Sequence, residues 1–309
     1  MKLEKINYGG WPNCYRLSNN AVELIVTTDV GPRIIRFGFV GEANEFGEFT
    51  DMLGKIGGDE WRIYGGHRLW HSPEVKPRTY HADNFPLTLE EHTDFIRLIQ
   101  PLEATTGIQK EIDITLSPDS AHVRLIHRLR NHNLWAVELA PWALTVMARG
   151  GVAIVPLPRR GEHATHLLPS NTLVLWAYTD LSDPRWFWRR EYILLQQDSQ
   201  ITSPQKLGLL CPDGWLAYAR QGHLFLKTFP YHFGATYPDL GCSAEVFTNA
   251  EMLELESLGP LTKLATGEAV EHVEEWWLTR SIKTALDDAE LERIREWAEE
   301  RRRVESGMK

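Results

Sequence analysis

From Ala21 to Thr279 the chain runs as short stretches of alternating apolar and polar residues, each closed by turn residues, and this pattern restricts the fold more than any other feature. Ala21 to Thr28, Arg33 to Val40, Asp94 to Gln100, Gln109 to Ser117, Ala121 to Asn131 and Val137 to Thr145 read as strands. Thr172 to Tyr178, Glu191 to Gln197, Trp215 to Arg220, His223 to Phe229, Ser243 to Thr248, Glu251 to Ser257 and Val270 to Thr279 continue the series. Turn signals such as Asp29-Val30-Gly31-Pro32 and Pro212-Asp213-Gly214 punctuate them. No succession of strand, helix and strand occurs, which argues against a parallel α/β sheet. More than a dozen strands without a clear linker predict an all-β fold, large antiparallel sheets face to face over residues 1–309 as a single domain in preference to two smaller sandwiches in series. Ala148 to Asn171 reads as a long excursion. The only expected helix is amphipathic and C-terminal, from about Asp287 to Val304, with Leu291, Ile294 and Trp297 on the face that packs outside a sheet.

With 309 residues, 43% of them hydrophobic, the chain can bury a large core. Its formal charge of −9, without long runs of one sign, argues against nucleic acid or an anionic membrane as partner. Cys14, Cys211 and Cys242 are far apart and in no metal-binding spacing, so they read as reduced thiols. The N-terminal residues lack the apolar stretch of a signal peptide, and no run of about 18 apolar residues could span a bilayer. A soluble cytoplasmic protein, monomer or homodimer, is the default expectation. Twelve tryptophans are many for this length; most are expected between sheets, a few against a ligand.

Chemistry concentrates in Gly65-Gly66-His67-Arg68-Leu69-Trp70-His71-Ser72-Pro73-Glu74. The glycine pair permits positive φ and close approach, and Trp70 could stack on a sugar ring while His67, Arg68, His71 and Glu74 hydrogen-bond its oxygens or move its protons. A turn whose His and Trp fill a seam is the plainer reading of this window taken alone. A second group lies in Glu251 to Pro260: in a strand, Glu254 and Glu256 project from one face, about 7 Å apart, while Leu253 and Leu255 project from the other. That carboxylate face is either solvated or the floor of a cleft, and the returning strand ending Trp276-Trp277-Leu278 favours the cleft.

Three segments together resemble the galactose mutarotase-like superfamily. They are Val22 to Ile34, Gly65-Gly66 through Trp70, and Met252 to Leu278 with its Leu-Glu-x-Glu-Ser-Leu-Gly-Pro-Leu, Leu-x-x-Gly-Glu and His-x-Glu-x-Trp-x-Leu. The resemblance spans about Val22 to Leu278 and implies the β-supersandwich fold and recognition of a sugar or sugar derivative, with no cofactor and no metal. It implies that Glu254 is the catalytic base and that Glu256 falls where the family often has Gln. The family's acid histidine corresponds to Ala140 within Glu138 to Ala143, a departure that transfers the acid role to His71, or failing that His67. Arg68 or Lys227 would hold Glu254 ionised. Arg33 of the first hairpin, Trp70, Glu74, Trp142, Tyr237 and Glu256 complete the expected substrate contacts, and Arg78, Tyr80, His81 and Asp83, which follow the glycine segment in sequence, could complete its rim.

The reaction expected of such a site is proton shuttling at an anomeric centre: a carboxylate takes the C1 hydroxyl proton while an acid protonates the ring oxygen, and the ring opens and recloses. Whether the protein catalyses at all is left open by Ala140. A non-catalytic carbohydrate-binding protein is the main alternative, and a polysaccharide lyase or glycoside hydrolase a more distant one. His67 and His71 stand at i, i+4, but Gly65-Gly66 and Pro73 argue against the helix a zinc pair would need.

Overall fold

The alternation is realised as two antiparallel sheets in a computed structural model that describes residues 2–283 and 285–305. In chain order the strands are β1 (Lys2–Tyr8), β2 (Trp11–Ser18), β3 (Val22–Thr27), β4 (Arg33–Phe39), β5 (His67–Ser72), β6 (Thr88–Glu91), β7 (Ile96–Ile99), β8 (Ile108–Leu116), β9 (His122–Asn131) and β10 (Val137–Met147). The series continues with β11 (Val152–Pro156), β12 (Leu173–Leu175), β13 (Trp186–Trp188), β14 (Tyr192–Gln196), β15 (Gln205–Leu209), β16 (Trp215–Arg220), β17 (His223–Thr228), β18 (Ala244–Thr248), β19 (Leu253–Leu258), β20 (Thr262–Leu264) and β21 (Ala269–Arg280). Among the described residues one helix, α1 (Asp288–Glu305), follows the strands.

The first sheet has 11 strands in the order β1-β2-β3-β4-β5-β10-β19-β18-β15-β12, with β20 paired to β10 off this path. The second has 10, in the order β13-β14-β11-β16-β17-β21-β9-β8-β7-β6. Leu24, Phe37, Phe46, Leu69, Met147 and Leu255 of the first sheet and its connections meet Leu125, Phe225 and Trp276 of the second in one apolar core. As expected, α1 lies outside: Leu291, Ile294 and Ala298 pack on Trp215, Ala217, Leu224 and Leu226, the outer face of the second sheet, with Trp297 at the margin. The three cysteines are free and buried. Among the described residues, no helix is long and apolar enough to cross a membrane.

Where the structure departs from the sequence reading, burial on both faces or strand brevity is the cause. Residues 67–72 form a strand, not a turn, and all six are buried, so their polarity does not report the pleat. The expected excursion contains β11, and β13 and β20, which the series of expected strands lacks, are only three residues long. β1, β2, β6 and β15 escaped notice; β1 and β6 end their sheets and carry mostly polar side chains.

The glycine pair sets where β5 begins. Gly66 has φ +69°, and a Cβ there would stand 2.2 Å from the Ile34 carbonyl oxygen. Arg33, wholly buried, fastens the same turn: its Nη1 donates to the carbonyls of Ile63 and Gly65, and its Nη2 pairs with Asp83 at 2.9 Å. Gly66→Ala is therefore expected to destabilise the protein by about 1–3 kcal/mol or more, seen as a lower urea midpoint with unchanged slope; an unshifted midpoint would refute the close approach.

Candidate functional site

β5 pairs with β10, and β10 with β19, so three central strands of the first sheet run side by side. Alternation along each strand sends successive side chains to opposite faces. On the outer face stand Arg68 and Trp70 of β5, Trp142 and Leu144 of β10, and Glu254 and Glu256 of β19. These six join Trp61, Ile63, Glu74, Tyr80, Tyr178, Lys206, Phe247 and Met252 around a cleft of about 190 Å³. Leu253 and Leu255 enter the core, as the alternation predicts.

Three ion pairs and a set of aromatic rings build this cleft. Arg68 Nη2 meets Glu254 Oε1 at 3.0 Å, and the guanidinium lies 4.7 Å over the Trp70 ring and 5.8 Å from that of Trp61. Lys206 Nζ stands 3.0 Å from Glu256 and 2.7 Å from Glu245, and is 4.7 Å from the ring centres of both Trp142 and Trp176. Glu256 Oε2 also accepts the Trp142 indole N–H at 2.8 Å. Trp61, Trp70 and Tyr80 contact one another edge-on at 5.0–5.5 Å, and Trp142 meets Trp70 at 5.4 Å. The Tyr80 hydroxyl donates to Glu74 at the rim.

Burial pushes the Glu254 carboxyl above its ordinary value, Arg68 opposing and Glu256 adding to the rise. Burial likewise drives Glu245 well up, against Lys206. For Lys206 burial works against the charge, but Glu245 and Glu256 outweigh it and hold the ammonium well above its ordinary value.

The two histidines expected to face Glu254 do not. His67, Leu69 and His71 project from the opposite face of β5. His67 Nε2 lies 2.7 Å from His127 Nε2 and its Nδ1 2.9 Å from Thr145 Oγ1, wholly within the core. His127 Nδ1 donates to the His272 carbonyl, so its Nε2 is the acceptor and His67 Nε2 the donor. His71 is buried beside Glu103 at 3.7 Å, which itself pairs with Lys110 at 2.6 Å. Among the described residues lining the cleft, none is a histidine.

Other expected contacts are also elsewhere. Lys227 pairs with Glu274 at 2.7 Å between the sheets, so only Arg68 reaches Glu254. Arg33 serves the glycine turn. Tyr237 is buried, its hydroxyl accepting the His232 backbone N–H at 2.9 Å. Of the proposed rim, Tyr80 lines the cleft, whereas Arg78 donates to the Pro73 carbonyl at 2.6 Å and His81 and Asp83 line a separate pocket of about 150 Å³. The sequence reading missed Lys206, Glu245, Trp61 and Tyr178. Glu245 carried a usable signal: Ala244, Val246 and Thr248 alternate with Glu245 and Phe247 as the leucines of β19 do with its glutamates.

His67 Nε2, His127 Nε2 and a Glu274 oxygen come within 4.8 Å of one another, a donor set zinc can use. Each donor already has a protein partner: Glu274 accepts from Ser257 at 2.6 Å and Trp276 at 2.8 Å and pairs with Lys227. Burial lowers the pKa values of His67, His127 and His272, the last to about 3. A histidine depressed in the folded state contributes stability above its unfolded pKa of 6.5, and that stability drains away as pH falls toward the folded value. The urea midpoint should therefore fall steadily from pH 6.5 to 4.5, while a flat profile over that window would contradict neutral core imidazoles.

No protein-family model matches the chain, and no curated protein sequence does. Among solved structures it resembles a candidate aldose 1-epimerase from Klebsiella pneumoniae, at TM-score 0.60 and 10% identity over 96% of this chain and 86% of that one. A candidate mutarotase from Salmonella typhimurium gives 0.54 and 11% over 87% and 90%, and a galactose mutarotase-like protein from Lactobacillus casei 0.53 and 10% over 86% and 100%. At such identities the likeness is one of fold, and the fold is that of the galactose mutarotase-like and aldose 1-epimerase-like proteins.

Proposed function

We propose that the chain is a carbohydrate-binding protein of the aldose 1-epimerase-like type that takes one monosaccharide in the cleft on the outer face of its larger sheet. The observation that carries this reading is the Arg68–Glu254 pair at 3.0 Å, opening into a cleft of about 190 Å³ walled by indoles. A pyranose has an apolar C–H face suited to indole and an edge of hydroxyls suited to guanidinium and carboxylate.

Anomer interconversion is the reaction such a cleft supports. Glu254 takes the C1 hydroxyl proton, Arg68 steadies the carboxylate, and the ring oxygen receives its proton from Lys206, Tyr178 or a protonated carboxyl, since no lining imidazole offers one. Non-catalytic binding is the second reading, favoured by Ala140, which shares the outer face of β10 with Trp142, and by the inward turn of His67 and His71.

Titration with D-glucose and D-galactose, followed by indole fluorescence and calorimetry, tests binding. Saturable quenching that Arg68→Met weakens is expected, and absence of any response up to the solubility limit would sink the proposal. NMR exchange between the anomers of the bound sugar then separates enzyme from binding protein.

A further inference from the structure

The charges of the cleft do not balance. Three buried carboxylates, Glu245, Glu254 and Glu256, share two buried cations, Arg68 and Lys206. At the rim, Glu74 and Lys76 both approach Tyr80, and Asp239, held by Ser72 Oγ at 3.1 Å, adds a further carboxyl on the side of Lys206. The interior thus carries one surplus negative charge when every group is ionised, and the rim adds to it. A net charge out of water is costly, so the cluster takes up either a proton or a cation from outside.

The unused hydrogen-bonding atoms describe what would fill the cleft. Glu256 Oε1 is buried and accepts no hydrogen bond, while Arg68 Nε and Nη1 are buried and donate none. Glu254 and Glu256 leave the same face of β19 with Cα atoms about 7 Å apart, a separation that one small cation can bridge.

We propose that the cleft selects an amino sugar over neutral and anionic sugars, seating the ligand's ammonium between Glu254 and Glu256 and its neighbouring hydroxyl oxygens on Arg68. The inference rests on the sugar-binding reading and narrows its substrate class.

Calorimetry at pH 6.5 with D-glucosamine, D-galactosamine, their N-acetyl derivatives, D-glucose, D-galactose and D-glucuronate tests it. At least one amino sugar should bind about tenfold tighter than its neutral parent, as a charge-assisted hydrogen bond gives, and D-glucuronate more weakly than either. The N-acetyl derivative, with the same nitrogen uncharged, should lose that advantage. Glu256→Gln should bring the ratio toward one; if that variant unfolds, Glu254→Gln carries the same test. Equal affinity for amino and neutral sugars, or tighter binding of D-glucuronate, would overturn this inference and leave sugar binding standing. Failure of every sugar to bind would overturn both.

Discussion

Lys227→Met is expected to cost the protein about 3–5 kcal/mol of stability, the range found when one partner of a buried ion pair is removed. Lys227 and Glu274 are wholly buried between the sheets with 2.7 Å between Nζ and Oε1. Burial alone would raise the Glu274 carboxyl, but Lys227, the largest opposing influence, holds it well below the usual carboxylate range. Without the ammonium, that carboxylate must stay charged in an apolar core or take a proton and so weaken an acceptor that Ser257 or Trp276 uses. Adding Glu274→Gln to Lys227→Met should recover a large part of the loss, because the neutral amide removes the stranded charge. Urea unfolding of the wild type, the two single variants and the double variant measures this. A loss below about 1 kcal/mol in Lys227→Met would place the ion pair in contact with water.

Glu254→Gln should slow anomer exchange by about 10²- to 10⁴-fold under the anomerisation reading, the contribution of a positioned general base. The amide keeps the shape of the side chain and its carbonyl can still accept from Arg68, so the fold should persist while proton abstraction is lost. The pH profile gives an independent sign. Glu254 must be ionised to act, and its pKa is raised by burial, so the exchange rate should begin to fall at a higher pH than an ordinary carboxylate would set. Wild-type exchange in Glu254→Gln, measured by saturation transfer between the two anomeric protons, would remove the residue from the mechanism while leaving sugar binding to be judged on its own titration.

Legibility of this fold followed burial. Strands with one wet face, such as β9 and β21, declared themselves by alternation, and their boundaries differ from the sequence reading by one residue at most. β5 did not, because all six of its side chains are buried and a strand dry on both sides has no polar phase to read. Taking 67–72 as a turn left its side chains free to converge, and so His67 and His71 were expected beside Arg68 and Trp70. Once the segment is a strand, alternation alone separates them. Glu254 and Glu256 were found because Leu253 and Leu255 fixed their phase. Lys206 was not, because β15 has only five residues and a lysine among them gives no hint of the two carboxylates that hold it.

The same two-sidedness limits how this region can change over time. A shift of one residue in the pairing of β5 with β4 and β10 would carry the guanidinium and indole into the core and turn both imidazoles outward. An insertion or deletion between Gly66 and Ser72 therefore damages the interior and the cleft in a single event, and only a compensating change of length in the same segment restores both. Substitutions on one face leave the other in register. The shape and charge of the cleft can drift by point replacement at positions 68 and 70 while the interior stays fixed, but the length of the segment cannot.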